Sequence, residues 1–144
     1  MLLSPTARIA IRALIYLASR SGDGPVPGRE IAAAEKIPPP FLAKILHRLG
    51  GAGLVKSTKG PHGGYELGQA PDRVLIGEVV GAIDGPLTLS DVCLLGLEKC
   101  GDTNPCALHD TWKIFRGQFQ TRIWELTLSE AVLSNRRNRT RNPA

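Results

Sequence analysis

The chain of 144 residues contains 42% hydrophobic and 22% charged residues, and these ordinary globular values exclude a fibrous repeat and a largely disordered polymer. Its length is sufficient for one cored domain with an extension but is short for an enzyme with a separate substrate domain. The formal net charge of +5 is unevenly placed: residues 1–68 carry nine Lys or Arg against four Asp or Glu, and residues 69–134 carry five against nine. A basic first half favours a polyanionic partner such as nucleic acid, and the alternative is a solvated basic surface.

The first helix is predicted over residues 6–20. Serine is favoured at the N-cap of a helix and proline at the first helical position, which suits Ser4 and Pro5. The apolar residues that follow recur at steps of three and four. Arg8 and Arg12 lie one turn apart on another face. We therefore expect one face of this helix to pack in a core and another to be available to phosphate.

Two more helices are expected after a Gly- and Pro-rich break at residues 22–27. The second covers residues 28–35. Because Pro38-Pro39-Pro40 fits only a first helical turn, the third is predicted over residues 41–49. Its inward-facing residues are predicted to be Phe41, Leu42, Ile45, Leu46 and Leu49.

Residues 54–57 and 65–67 predict two short strands joined by the glycine-rich turn at 59–64. Three helices followed by a hairpin are typical of a winged helix-turn-helix domain, mainly α with a small β-hairpin wing, whose third helix enters the DNA major groove. The alternative for the basic side chains of the third helix and the wing is that they are solvated surface charges. The alternative for His47 is a core or capping histidine. The residues predicted to contact DNA are Arg8, Arg12, Arg29, Pro39, Pro40, Lys44, His47, Arg48, Lys56, Lys59, Gly60, His62, Gly63 and Gly64.

A fourth helix near residues 76–83 supports the wing, and a long helix is predicted from Cys106 onward, because apolar residues recur there at heptad-like positions. This stripe either packs on its own domain or, as we expect in a chain with little other core, pairs with the same helix of a second subunit. Its members are Leu108, Trp112, Phe115, Phe119, Ile123 and Leu126. The predicted organisation is a DNA-binding domain at 1–85, a cysteine-bearing loop at 86–105, a long dimerisation helix with a short following helix at 106–134, and a disordered basic tail at 135–144.

We find no secretory signal and no run of about 18 uncharged apolar residues, which predicts a cytoplasmic protein without membrane association.

The three cysteines, Cys93, Cys100 and Cys106, lie in the second half of the chain. In the cytoplasm their thiols stay reduced, and an odd number of cysteines does not predict a disulfide framework, so that metal or redox chemistry is favoured. Cys106 and His109, three residues apart at a helix start, can bind one metal together. The alternative for each cysteine is a small buried hydrophobe, which suits Cys93 best.

Four features together resemble a known family: Phe41-Leu-Ala-Lys-Ile-Leu46, Ala52-Gly-Leu-Val-Lys-Ser57, Gly60-Pro-His-Gly-Gly-Tyr65, and three cysteines ahead of a long helix. In these the chain resembles the Rrf-two family of bacterial transcription regulators, which includes iron–sulfur cluster regulators and nitric-oxide-sensitive repressors. The resemblance implies a homodimer in which the long helices of the two subunits cross and which binds palindromic promoter sites in double-stranded DNA. A further implication is that the protein is not an enzyme. It also implies control by cluster status, iron, nitric oxide or redox state, most simply as a repressor.

The same resemblance implies that Cys93, Cys100 and Cys106 are ligands of an iron–sulfur cluster and that His109 is the fourth ligand. A [2Fe-2S] cluster is favoured over a [4Fe-4S] cluster, because the relatives with four irons take an acidic ligand near the start of the first helix, where this chain has Arg8 and Arg12. The first cysteine spacing is one residue longer than is common in the family. A cluster-free regulator with a thiol redox switch is the alternative.

Overall fold

The computed structural model describes residues 3–86, 93–98 and 100–141. Within these ranges the chain forms six helices and a two-stranded antiparallel sheet, and the predicted winged helix-turn-helix order is confirmed. None of the described helices is both long and apolar enough to cross a membrane. In chain order the elements are α1 (Pro5–Ser19), α2 (Gly28–Glu35), α3 (Pro39–Gly51), β1 (Val55–Thr58), β2 (Gly64–Leu67), α4 (Ile76–Asp84), α5 (His109–Glu125) and α6 (Leu128–Arg141).

Helix α1 forms the centre of the core and packs against α2, α3, α4 and α6. Ser4 caps it, since the Ala7 N–H donates to Ser4 Oγ at 3.0 Å, and the Ser4 N–H in turn donates to the carboxylate of Asp84 at the end of α4. Three of its five buried residues are alanines, and their small side chains allow neighbouring helices to approach closely. The buried residues are Ala7, Ala10, Ala13, Leu14 and Leu17.

Helices α2 and α3 form the helix-turn-helix. Lys36, with a φ of 54° in the left-handed region, ends α2, and prolines then open α3 as the sequence predicts. Four of the five predicted inward residues of α3 are buried: Leu42, Ile45, Leu46 and Leu49. The prediction for Phe41 was wrong, because this ring is 38% exposed. At 100° per residue Phe41 lies at the edge of the buried arc, whose middle is Leu49.

The wing is a hairpin of β1 and β2, with Val55 opposite Leu67 and Thr58 opposite Gly64. A third segment joins its other edge: Val26 and Tyr65 exchange both backbone hydrogen bonds, at 2.9 and 2.8 Å. This pairing explains Gly64, since a Cβ there would collide with the backbone carbonyl of Val26. The wing is thereby fixed to the segment that leads into α2.

The second half of the chain packs onto α1 through α4 and α6. The junction between α5 and α6 is extended and pairs with the segment before α4, because the Ile76 N–H donates to the Leu126 carbonyl and the Leu128 N–H donates to the Val74 carbonyl, each at 2.8 Å. Trp124 lies directly over Gly77, where a Cβ would meet its indole ring. The long helix and the following helix that the sequence predicts meet at this junction.

Two predicted boundaries are corrected by the structure. Helix α5 begins at His109 rather than at Cys106, because Cys106 lies in a turn in which its carbonyl accepts from the His109 N–H at 3.0 Å. The predicted disordered tail is helical as far as Arg141, and the residues beyond it lie outside the described part of the chain. Of the predicted loop at 86–105, residues 87–92 and 99 also lie outside it.

Helix α6 has a start signal that explains its presence. Thr127 and Glu130 form a capping box: the Glu130 N–H donates to Thr127 Oγ1 at 3.2 Å, and the Thr127 N–H donates to Glu130 Oε2 at 2.9 Å. Leu128 is fully buried. A reciprocal cap and a buried first turn stabilise the helix, so that its polar continuation also remains helical.

Candidate DNA-binding surface and metal centre

The exposed face of α3 carries residues that the sequence predicts to contact DNA. Lys44 and His47 are one turn apart and exposed, while the opposite face of the helix is buried in the core. Pro39 and Pro40 are exposed in the first turn. In a helix-turn-helix motif, this face of the second helix is the one that enters the major groove.

The wing tip presents the second group of predicted DNA-contacting residues. Lys56, Lys59 and His62 are exposed. Gly60 has a φ of +110°, which L side chains rarely adopt, and a Cβ on Gly63 would meet the backbone at the end of β1. The two glycines thus permit the tight turn that holds Lys59 and His62 at the tip.

Two shallow grooves connect the wing with α2 and α3. One, of about 330 Å³, is lined by His47 of α3 and by Ser57 and Tyr65 of the wing. The other, of about 150 Å³, brings Arg29 of α2 next to Pro39 and Tyr65. Arg29 is exposed. The start of α2, the exposed face of α3 and the wing therefore form one continuous surface.

Two arginines that were predicted to contact DNA have partners inside the protein. Arg12 Nε donates to Glu35 Oε2 at 2.9 Å, and its guanidinium also donates to the Glu35 carbonyl. Arg48 Nη2 donates to the Ile83 carbonyl at 2.7 Å. Arg12 thus holds α1 to α2, and Arg48 holds α3 to α4. Arg8 lies on α1 and is exposed. Direct contact of these three residues with DNA stays a prediction.

The three cysteine thiols converge. The Sγ atoms of Cys93, Cys100 and Cys106 all lie within 4.8 Å of one another, and those of Cys93 and Cys106 are 3.9 Å apart. Each thiol is free and half-buried. A tight turn between the second and third cysteines, in which Gly101 and Asn104 exchange backbone hydrogen bonds at 3.4 and 3.1 Å, brings the chain back on itself.

His109 joins this group from the first position of α5. Its Nδ1 lies 3.3 Å from Cys100 Sγ, and its Nε2 lies 2.9 Å from Oδ1 of Asp102. The same Asp102 oxygen accepts from Lys113 Nζ at 2.7 Å. The His109 side chain is 9% exposed, so one ring nitrogen faces the thiols in a sheltered position while a carboxylate holds the other.

The surroundings shift the acidity of these groups in different directions. Backbone hydrogen bonds from Leu97, and to a lesser extent from Leu95, lower the pKa of Cys93 to about 7 despite partial desolvation. The pKa of Cys100 is raised: a backbone hydrogen bond from Cys106 lowers it, but desolvation and the neighbouring thiols outweigh that effect. Lys113 and then His109 lower the pKa of Asp102 to about 2, so that this carboxylate is an anion at neutral pH.

The predicted dimerisation stripe divides into two parts. At its N-terminal end Leu108 and Phe115 are 39% and 46% exposed, and Phe115 stacks on Trp112 and Phe119 with ring centroids 5.6 and 6.3 Å apart. At the other end Ile123 is buried in the core of its own protomer, with Leu126 packed against that core. The assignment of Ile123 to a surface between subunits is therefore corrected, because α4 already covers this end of α5.

Comparison with known proteins decides the family. Residues 3–133 match the Rrf2 family, described as iron-dependent transcriptional regulators. The chain belongs to this family. It is 38% identical over 134 residues to a protein of Aquifex aeolicus named as an HTH-type transcriptional regulator, with 92% of each chain covered.

Other Rrf2 relatives agree. The HTH-type transcriptional regulator IscR of Yersinia pseudotuberculosis is 33% identical over 132 residues, which cover 92% of this chain and 79% of that one. The solved structure of CymR, the global cysteine regulator of B. subtilis, is 28% identical with a TM-score of 0.79 and covers 93% of this chain and 98% of its own. This Rrf2 chain is thus a winged-helix transcription regulator from a DNA-binding, non-enzymatic family.

Sequence reasoning did not find Asp102 and Lys113, although the structure places both at the candidate metal centre. A signal was available for Lys113, which follows His109 by four residues and so shares its helix face. Asp102 lies in a loop, where spacing carries no such information. The capping box at Thr127 and Glu130 was also readable, as a Thr followed three residues later by Glu.

Proposed function

We propose that this Rrf2 regulator binds palindromic promoter DNA as a homodimer and that an iron–sulfur cluster held by Cys93, Cys100, Cys106 and His109 controls its affinity for DNA. The observation that carries the proposal is the convergence of the three thiols, within 4.8 Å of one another, beside the Nδ1 of His109. A [2Fe-2S] cluster is the form we propose.

The donor set suits such a group. Thiolates are the soft ligands that iron–sulfur clusters require, and imidazole replaces thiolate on one iron in some two-iron centres. The four donors form two close pairs: Cys93 with Cys106 at 3.9 Å, and Cys100 with His109 at 3.3 Å. When bound, the cluster would supply a redox-sensitive and chemically labile group at this position.

The cysteine segment is connected to the proposed dimer surface by apolar contact. Leu94, next to Cys93, lines an apolar depression of about 290 Å³ together with Leu108 and with Trp112 and Phe115 of α5. A ligand that orders this segment therefore changes the surface on which the second subunit would pack. A ligand shifts DNA affinity only by its different affinity for two states of the protein, and this contact provides a route for such coupling.

Pairing of α5 with the same helix of a second copy is supported by its exposed apolar residues. Ile114 is 63% exposed, in addition to Leu108 and Phe115, and exposed groups of large apolar residues mark interaction surfaces. Two copies related by a twofold axis would present two α3 helices to two half-sites, which is why we propose a palindromic operator.

The test measures iron and acid-labile sulfide per chain on protein purified without oxygen, followed by promoter binding with and without the cluster. We expect two irons with matching sulfide, and a change in DNA affinity on cluster removal. Cys106→Ala should lose the iron and the response together, whereas Thr103→Ala, an exposed position of the same loop, should keep both. Four irons would overturn the two-iron assignment, and zinc or no metal would overturn the cluster.

A thiol switch is the second candidate function, favoured by the 3.9 Å between the Sγ atoms of Cys93 and Cys106. Here a peroxide or disulfide oxidant would take two electrons from the two thiols, which lose two protons as the disulfide forms. This candidate predicts that DNA binding follows disulfide formation in iron-free protein. A Cys93→Ser variant that responds to oxidant as the unmodified chain does would exclude it.

A further inference from the structure

We propose that Asp102 is a positioning residue: its carboxylate fixes the tautomer and orientation of His109 so that the Nδ1 lone pair faces the cysteine thiols. The inference rests on the proposed function in that the thiol group is a metal centre, but the tautomer itself can be measured on iron-free protein. Asp102 would not touch the cluster and would act through His109.

The hydrogen-bond chemistry determines which nitrogen carries the proton. An ionised carboxylate has no proton and accepts only, so the 2.9 Å contact between Asp102 Oδ1 and His109 Nε2 requires Nε2 to be the donor. In a neutral imidazole the other nitrogen, Nδ1, then has a free lone pair. That nitrogen is the one 3.3 Å from Cys100 Sγ.

Lys113 holds the carboxylate in place. It lies one helical turn after His109 on α5, and its Nζ donates to the same Asp102 oxygen at 2.7 Å. The side chain of Lys113 is about half exposed, so its restraint on Asp102 is weaker than that of a buried partner. Asp102 is thus bound to two residues on one face of α5.

The position of Asp102 in the chain gives this contact a second consequence. Asp102 belongs to the turn of Gly101 and Asn104 and follows Cys100 by two residues. Its hydrogen bond therefore joins the loop that carries the thiols to the helix that carries the imidazole. Metal-bound histidines commonly donate their second N–H to a carboxylate, and loss of this partner typically costs about 10- to 100-fold in metal affinity.

The first test uses nitrogen-15 NMR on iron-free protein, because long-range proton couplings distinguish the two imidazole tautomers. The chain has three histidines, so the His109 signals are assigned by their loss in His109→Ala. We expect the Nε2–H tautomer in the unmodified chain and a mixture in Asp102→Ala. An identical tautomer pattern in both proteins would overturn the proposal, even if the protein never binds iron.

The second test uses protein loaded with its cluster without oxygen. Asp102→Ala should release iron to a ferrous chelator about tenfold faster than the unmodified chain and should change the nitrogen hyperfine coupling in the electron paramagnetic resonance spectrum of the reduced protein. Asp102→Glu should restore part of both. Asp110→Ala, which removes a neighbouring exposed carboxylate of α5, should behave like the unmodified chain.

These outcomes separate the two proposals. If the unmodified chain takes up no iron, the proposed cluster fails while the tautomer measurement still tests Asp102. If the cluster loads and Asp102→Ala leaves both the coupling and the release rate unchanged, the positioning role fails and the cluster stands. A faster release with unchanged tautomer and coupling would assign Asp102 a purely structural role in the loop and overturn the inference.

Discussion

The winged-helix part of the chain and the part that begins at Cys93 are stabilised in different ways. Residues 7–83 contain most of the buried apolar side chains, whereas Leu94, Leu95 and Leu97 in the cysteine segment are each more than half exposed. At the start of α5, the side chains of Leu108, Ile114 and Phe115 are likewise 39–63% exposed. The DNA-reading part has its own apolar core, whereas the described cysteine segment exposes apolar side chains that, in the proposed function, a ligand or a second subunit covers.

This difference suits a regulator. A rigid core keeps the exposed face of α3 and the wing in one arrangement, which sequence recognition requires. A segment with few buried contacts has a low free energy of local opening, so that a bound ligand can bias its conformation. The predictions below test whether the two parts can be altered separately, starting with the largest expected effect.

Truncation of the core should destabilise the DNA-reading part. Leu49 is fully buried in the middle of the α3 arc, and Leu49→Ala should lower the free energy of unfolding by about 2–5 kcal/mol. Chemical denaturation followed by circular dichroism measures this loss. Leu133→Ala, at an exposed position of α6, is the matched control. A loss below about 1 kcal/mol would contradict the assignment of Leu49 to the core centre.

A charge on the proposed dimer surface should disrupt assembly without unfolding the protomer. Phe115→Asp places a carboxylate where two α5 helices would pack, and we expect monomers with DNA affinity lowered by about 100-fold or more, since two linked half-site contacts become one. Sedimentation measures the assembly state, and a gel-shift titration measures affinity. Leu133→Asp should leave both unchanged. Dimers of Phe115→Asp with normal DNA affinity would place the interface elsewhere.

Removing one phosphate contact at the wing should have a smaller and purely electrostatic effect. Lys59→Ala should weaken binding to all DNA sequences alike and reduce the slope of log affinity against log salt by about 1. The iron content and the free energy of unfolding should not change. The control is Glu66→Gln on β2, which removes a negative charge where Lys59→Ala removes a positive one. It should not reduce the salt slope. An unchanged slope in Lys59→Ala would remove the wing tip from the DNA interface.

The smallest effect concerns thiol reactivity in iron-free protein. The thiolate is the nucleophile, and a thiol with a lowered pKa has a larger thiolate fraction at a given pH. With its pKa near 7, Cys93 should be half ionised near neutrality and should be alkylated by iodoacetamide before Cys100, whose pKa is raised. The preference should be lost above the pKa of both thiols. Peptide mass spectrometry after brief labelling at several pH values measures it.

Much of the fold follows from local sequence signals. Helical periodicity predicted α1 and α3, the glycines at 60 and 63–64 predicted the hairpin turn, and prolines predicted where α3 begins. The errors have local causes as well. The chain forms a turn at Cys106 before α5 begins, and a capping box that went unnoticed starts α6, whose helix then continues through a run of arginines that composition alone assigns to disorder.

The candidate site was predicted less completely. The four proposed cluster ligands were named from cysteine spacing, a nearby histidine and family resemblance. Asp102 and Lys113 were not, because a loop carboxylate and a helix lysine are common residue types and only their shared contact with His109 distinguishes them. For the same reason the sequence did not reveal that Arg12 and Arg48 each have a partner inside the protein.

The sequence by itself determined the order of helices and strands, the basic first half, the positions of the candidate soft ligands and the family resemblance, because these depend on periodicity, turn chemistry and residue type at fixed spacing. The tertiary structure decided which charged side chains form hydrogen bonds or ion pairs within the chain, which end of α5 is buried, and which nitrogen of His109 faces the thiols. Those properties depend on distances between residues far apart in the chain, and spacing along a sequence does not contain such distances.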